Sequence, residues 1–269
     1  MLTDAHCHPY DLVSISPAAE DERKKLGIIC AASASSLEEF EYCEQLPQTL
    51  PCFAVHPQMP AAQNNFEEKI DELLNLLEKL AGQGRLAAIG ETGFDCFNTA
   101  FRDTEKLQEQ LFSAHIETAL RYDLPVVIHV RRAMNKIFAH SKTLKKCKAV
   151  IFHSWSGTME EGLALLRHGI NAYFSFGNTI MMNHKKAMRC CATFPIDRIL
   201  SETDAPYQPL QAKEFSTYAD ILKVLEAITY LRQNESGQRI SLKELENIIE
   251  MNFNVSLSTG TGKPLMPLF

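Results

Sequence analysis

The sequence predicts an α/β protein, a single-domain (β/α)8 TIM barrel, from three observations. Eight short apolar runs, mostly β-branched, recur along the 269 residues, and amphipathic helical patterns lie between them. Histidines and acids stand at the carboxyl ends of six of those runs. Strands that alternate with helices imply a parallel sheet. Eight such units in about 250 residues is the size of a closed barrel, whose strand ends meet at one rim. An open doubly wound sheet would keep a glycine-rich phosphate loop after its first strand. The chain has His6-Cys7-His8-Pro9 there instead.

The expected strands are Leu2–His8, Ile28–Ala32, Cys52–His56, Leu86–Thr92, Val126–Val130, Ala149–His153, Ile170–Phe176 and Ile199–Glu202. Phe66–Leu80 places Ile70, Leu73, Leu74, Leu77 and Leu80 on one stripe, the period of an amphipathic helix. Leu107–Leu120 repeats the pattern with Leu111, Ala114 and Ile116. Helix starts with a capping box are expected at Ser36, Thr158 and Ser241, each followed three residues on by glutamate. Gly27 and Gly169 stand where helices should stop. Nothing divides the chain, so residues 1–269 read as one domain, with 258–269 as an irregular tail.

Composition narrows the function classes. No apolar run approaches the ~20 residues that cross a bilayer, and no signal-like leader is evident. Eight cysteines without CxxC pairing read as reduced thiols of a cytoplasmic protein, and Cys190-Cys191 as helix packing. The net charge of −6 excludes nucleic-acid binding by bulk charge, so a polyanionic substrate must be held locally. Arg131, Arg132, Lys136, Lys142, Lys145 and Lys146 offer a small basic cluster, although the distal lysines suit a solvated helix face better.

The candidate site follows from the rim. His6 and His8 share one strand face, with Asp4 beside them, and two imidazoles so placed can grip a divalent ion. His56, Glu91, His129, His153 and Asp204 follow or end five further strands. Each has an ordinary reading alone: a satisfied histidine, a turn cap, an Asp-Ala-Pro turn. Together they make a metal centre of imidazole and carboxylate ligands. His115, His140, His168 and His184 lie on helices and are given structural or surface roles.

Six segments carry a resemblance. They are Asp4-Ala5-His6-Cys7-His8, Ala54-Val55-His56-Pro57, Ile89–Asp95, Pro125–His129, His153-Ser154-Trp155-Ser156-Gly157 and Glu202–Tyr207. In order and spacing the chain resembles the TatD-type metal-dependent deoxyribonucleases of the amidohydrolase-like superfamily, from Leu2 to about Tyr207. The resemblance implies a hydrolase that cleaves phosphodiester bonds of DNA, as an exonuclease or on single strands. His6, His8 and Asp204 would hold one divalent ion and His129 and His153 a second, with Glu91 bridging. Zinc, magnesium and manganese all suit such ligands. A metal-activated water would be the nucleophile and Asp204 a general base. His56 and Arg131 would contact substrate or phosphate. Trp155, Phe94 or Phe97 could stack a base, with rim packing as the alternative.

The chain also departs from the family's pattern. Arg131 is followed by Arg132 where aspartate is common. Ser154-Trp155 replaces Cys-Phe, and Gln208–Glu214 replaces an Arg-Gly-containing loop. None of these removes an expected ligand. Two other readings stand beside the nuclease. An amidohydrolase-type enzyme could act on small esters, amides or lactones, but such relatives often bridge their ions with a modified lysine. Here that position is Glu91, and Leu86–Cys96 contains no lysine. A non-catalytic metal-binding scaffold is the third reading. A monomer is the default, without an obligate protein partner.

Overall fold

A computed structural model describes residues 1–257; the expected irregular tail at 258–269 lies outside them. Eight parallel strands form one sheet in sequence order: β1 Leu2–Cys7, β2 Ile28–Ala34, β3 Thr49–Phe53, β4 Ala88–Asp95, β5 Val126–Arg131, β6 Val150–Phe152, β7 Ala172–Phe176 and β8 Ile199–Ser201. β8 returns to β1. Ser201 Oγ donates to Thr3 O at 2.9 Å, and the Asp204 amide donates to His6 O at 2.9 Å just beyond the strand ends. The result is the expected TIM barrel.

Two apolar layers follow from strand alternation. The inner layer takes Ala5, Ile29, Ala31, Cys52, Ala88, Val127, Ile151, Tyr173 and Leu200, at least one from every strand, with Phe253 and Leu257 against it. The outer layer, including Phe53, Ile89, Ile128, Phe152 and Phe174, packs under the helices. Alternation fails at one place that matters. Ala5 joins the inner layer and Cys7 an outer one, and the β1–β2 register shifts between Asp4 and Cys7. The shift puts His6 and His8 over the barrel mouth. Asp4 is turned elsewhere, to the Thr203 amide at 3.0 Å and the Thr203 hydroxyl at 2.6 Å. The expectation that Asp4 stands beside the two imidazoles is corrected accordingly: it fastens the end of β8 to β1.

Strand β4 is shaped by glycine. A Cβ on Gly93, whose φ is +141°, would lie 2.0 Å from His129 O; one on Gly90 would lie 2.5 Å from Val127 Cβ. Only glycine lets β4 approach β5 closely enough to set Glu91 beside His129.

Most elements fall where the sequence put them. The helix expected at Leu107–Leu120 runs Glu105–Tyr122. Phe66–Leu80 is not one helix but a 3-10 turn, Phe66–Lys69, followed by an α-helix, Ile70–Gly82. Phe66 packs separately against Val55 and Leu111, which fixes the turn before the helix begins. β3 ends at Phe53, so His56 stands on the following loop rather than on the strand. Thr158 and Ser241 form complete capping boxes. Ser36 accepts from the Glu39 amide, but the Glu39 carboxylate takes the Ser35 amide and hydroxyl instead. Gly27 and Gly169 have positive φ, as helix ends require. All eight cysteines are free and buried.

Candidate active site

The rim residues converge on two carboxylates. Glu91 Oε1 lies 2.7 Å from His129 Nδ1, 2.7 Å from His153 Nε2 and 3.3 Å from His56 Nε2. Its other oxygen, Oε2, lies 3.2 Å from His6 Nε2 and 3.8 Å from His8 Nε2. Asp204 Oδ1 is 3.5 Å from both His6 Nε2 and His8 Nε2. Glu91 thus divides its two oxygens between two pairs of imidazoles, one from β1 and one from the ends of β5 and β6. His6, Glu91, His129, His153 and Asp204 are all buried.

Outer partners set which ring nitrogen faces inward. His129 Nε2 donates to Asp95 Oδ2 at 2.9 Å, leaving Nδ1 with its lone pair toward Glu91. His153 turns Nδ1 toward Glu202 Oε1, 3.7 Å away, and neither atom has a hydrogen-bond partner. Glu202 is itself held by the Ser175 hydroxyl. His56 is different. Its Nδ1 accepts the Gln58 amide at 3.2 Å, so the proton of the neutral ring is on Nε2.

The electrostatics are those of a tight ionic cluster. Burial works against the Glu91 carboxylate, but the charges of His153, His56 and His6 outweigh it and hold Glu91 well below the usual carboxylate range. Asp204 is lowered against burial by its His8 hydrogen bond and the neighbouring imidazoles. Burial opposes charge on His8 as well, and Asp204 and Glu91 overcome it and raise the ring. His153 is raised well above its ordinary value, again against burial, by Glu91 and Glu202. His6 and His56 are lowered, chiefly by burial.

The donor set fits divalent metal. Ring nitrogens confront one another at 3.1 Å between His6 and His8, and at 3.3 Å between His129 and His153. Imidazole nitrogens gathered this closely around carboxylate oxygens are the ligand types a divalent cation takes. Three overlapping groups have ligand atoms within 4.8 Å of one another: His6–His153–Asp204, His6–His8–Glu91 and His56–Glu91–His129. His56 therefore stands closer to the donors than its sequence position alone suggested.

Four site residues escaped sequence reasoning. Asp95 and Glu202 look like ordinary strand-end acids; their orienting contacts appear only once the strands are assembled. Gln208 donates to Asp204 Oδ2 at 2.5 Å and to Ser154 Oγ at 2.9 Å. Ser154 and Gln208, both departures from the family pattern, thus touch each other beside Asp204. The signal was present in that double departure, but nothing in the sequence paired the two.

Two aromatic expectations fail. Trp155 is only 1% exposed, its ring packed 4.8 Å from Phe174 and 5.6 Å from Phe152. Phe94 is fully buried against Phe112. Neither ring can stack a base: strand alternation turns Phe94 into the apolar layer beneath the helices, and the loop after β6, past Ser154 with its φ of 44°, tucks the Trp155 ring against Phe174 and Phe152. Phe97, one residue past that layer's reach, is 44% exposed and lines the site cavity. Arg131 and Arg132 line the same cavity, whereas Lys136 is paired with Glu105 and Glu109. Of the four histidines expected on helices only His115 lies within one, buried and satisfied; His140, His168 and His184 flank helix ends, with His140 bonded to Glu109 and His184 at the cavity wall.

Comparisons with known proteins place the chain in a family. A family model described as TatD related DNase matches residues 3–258. An uncharacterized metal-dependent hydrolase of Buchnera aphidicola is 32% identical, over 94% of this chain and 96% of its own length. A Dickeya dadantii protein named 3'-5' ssDNA/RNA exonuclease TatD is 33% identical over 65% of this chain and 66% of its own. The crystal structure of the Escherichia coli TatD homologue YjjV shares the fold, with a TM-score of 0.79 at 22% identity over 95% of this chain and 97% of that one. The chain belongs to the TatD family of metal-dependent hydrolases.

Proposed function

We propose that this protein cleaves phosphodiester bonds of DNA, from an end or on single strands, at a dinuclear metal centre. One observation carries the reading: Glu91 turns one oxygen to His129 and His153 and the other to His6 and His8. That arrangement suits a carboxylate shared between two ions. His6, His8 and Asp204 would hold one, and His129 and His153 the other, with zinc, manganese or magnesium as candidates. The Dickeya relative's name supports nucleic acid as the substrate class. The eight buried free thiols suit a reducing compartment such as the cytoplasm, and a monomer suffices because every donor comes from one chain.

Bound divalent ions lower the pKa of an attacking water and neutralise charge on a phosphodiester in displacement. The protein's own groups do the rest. His56 presents Nε2–H as a donor, a suitable contact for a non-bridging phosphate oxygen and a poor metal ligand in that tautomer. Arg131 supplies a fixed positive charge; its guanidinium lies 3.6 Å from Asp95 and is partly exposed to the cavity. Asp204 is ionised, close to the reacting centre and available to take a proton from the attacking water. Asp95 keeps the His129 ring in the orientation that turns Nδ1 inward, and the Glu202 charge faces the outer nitrogen of His153 from 3.7 Å.

The test is direct. Purified protein incubated with a 3'-labelled single-stranded oligonucleotide and Mg²⁺, Mn²⁺ or Zn²⁺ should shorten it, and chelator should stop the reaction. Asp204→Asn should slow cleavage by roughly 10²–10⁴-fold with an unchanged circular dichroism spectrum. Failure to shorten DNA with any divalent ion, alongside turnover of small esters or amides, would replace the nuclease reading with the amidohydrolase one.

A further inference from the structure

The cavity above the metal-ligand residues has a volume of about 1200 Å³. Small-molecule pockets typically span about 300–1,000 Å³. The space exceeds what a single phosphodiester needs, and one wall of it is unusual. Phe97 is exposed there, and two guanidiniums lie over its ring: Arg131 at 4.1 Å from the centroid and Arg132 at 4.6 Å.

Neighbouring residues of an extended strand point to opposite sides. Arg131 ends β5, and Arg132 has a φ of 55°, in the left-handed region. That turn brings the second arginine onto the ring the first already covers. Arg132 Nη1 donates to Phe97 O at 3.1 Å, which leaves most of its five donors free. Like charges gathered on one ring repel each other unless an anion sits between or beside them. Asp95 faces Arg131, but its oxygens already serve His129, Gln58 and the Phe97 amide. Among the described residues no carboxylate comes within ion-pair distance of Arg132, in a chain whose net charge is −6. Of the cavity's acids, Glu91 and Asp204 face the imidazoles, Glu161 accepts the Thr158 amide, and Asp11 and Glu39 belong to the β1 and β2 side.

We propose that Arg131, Phe97 and Arg132 form a second anion subsite, which takes a phosphate flanking the scissile phosphodiester. The proposal rests on the nucleic-acid reading above and sharpens it. The favoured substrate is a strand with at least two consecutive phosphodiesters, and Arg132 sets that preference. Arg132 acts on binding of the strand and not on the reacting atoms.

The experiment compares wild type, Arg132→Ala and Arg132→Lys on single-stranded DNA of two and five nucleotides. A parallel arm measures the anisotropy of a fluorescein-labelled pentanucleotide without added metal across a salt series. Wild type should prefer the longer strand. In Arg132→Ala the ratio of kcat/KM for five over two nucleotides should fall about tenfold, and Arg132→Lys should restore part of it. The slope of log affinity against log salt should shrink by about 0.7 in Arg132→Ala, the loss of one single-strand phosphate contact. An unchanged length ratio together with an unchanged salt slope overturns the subsite. If wild type cleaves neither strand, the nuclease reading fails, and the anisotropy arm still decides whether Arg132 holds a phosphate.

Discussion

Asp95 is fully buried, and four donors meet at its carboxylate. His129 Nε2 and Gln58 Nε2 reach Oδ2 at 2.9 and 2.7 Å, the Phe97 amide reaches Oδ1 at 2.8 Å, and Arg131 stands 3.6 Å away. Burial disfavours the charge, yet the His129 and Gln58 hydrogen bonds win and bring the carboxyl down to about 2. It remains an anion at any working pH, so it always pins the His129 proton on Nε2. Asp95→Asn should weaken metal retention by roughly 10–100-fold, the usual cost of losing a partner that orients a ligand. Competition with a chelating dye reads this without any turnover; an affinity equal to wild type would show that His129 needs no such restraint. Asp204 is served comparably by the Ser154–Gln208 pair. Gln208 occupies Oδ2 and leaves Oδ1 facing the two β1 imidazoles.

At the scale of elements, the helix Glu105–Tyr122 supports the site through a buried histidine. His115 Nε2 accepts the Val55 amide at 3.0 Å, while its Nδ1 donates to Leu111 O. This anchors the loop that carries His56. Burial depresses the His115 pKa from 6.5 to about 4. The unfolded chain therefore binds a proton between those values that the native state refuses. Stability from this group is complete above about pH 6.5 and is lost as pH falls toward 4. The shift corresponds to about 3 kcal/mol. Urea unfolding at pH 7.5 and pH 4 should show a smaller acid loss in His115→Gln than in wild type, by about that amount. Equal losses would mean that other groups govern acid unfolding. Strand β4 shows the complementary constraint: Gly93 has no room for a side chain against His129 O, so the position of Glu91 depends on two glycines as much as on its own chemistry.

The fold concentrates imidazole and carboxylate donors at one end of the barrel. No helix among the described residues is long and apolar enough to cross a membrane. The imidazole–carboxylate cluster should couple metal to global stability, since ions bind the assembled rim far better than an unfolded chain. At a metal concentration of 100 Kd the gain is about 2.7 kcal/mol. For a chain of this size that is roughly 5–10 °C in Tm. Calorimetry before and after chelation, then after adding back Zn²⁺ or Mn²⁺, should show that fall and recovery. A Tm indifferent to chelation would argue that the cluster holds no resident ion.

The sequence by itself determined the class of fold and the identity of the rim. Eight apolar runs with helical patterns between them admit few arrangements, and a parallel barrel brings every strand's carboxyl end to one place whatever the loops do. His6, His8, Glu91, His129, His153 and Asp204 were legible for that reason. What only the tertiary structure decided depends on which way side chains turn. A register shift in β1 sends Asp4 to Thr203. Strand alternation buries Phe94, the loop after β6 buries Trp155, and Arg132's own left-handed backbone swings its side chain onto Phe97. Asp95, Glu202, Ser154 and Gln208 gained their roles from partners distant in sequence. Periodicity reports where a strand runs, but a one-residue irregularity reverses every side chain beyond it, and only close packing settles where such irregularities fall.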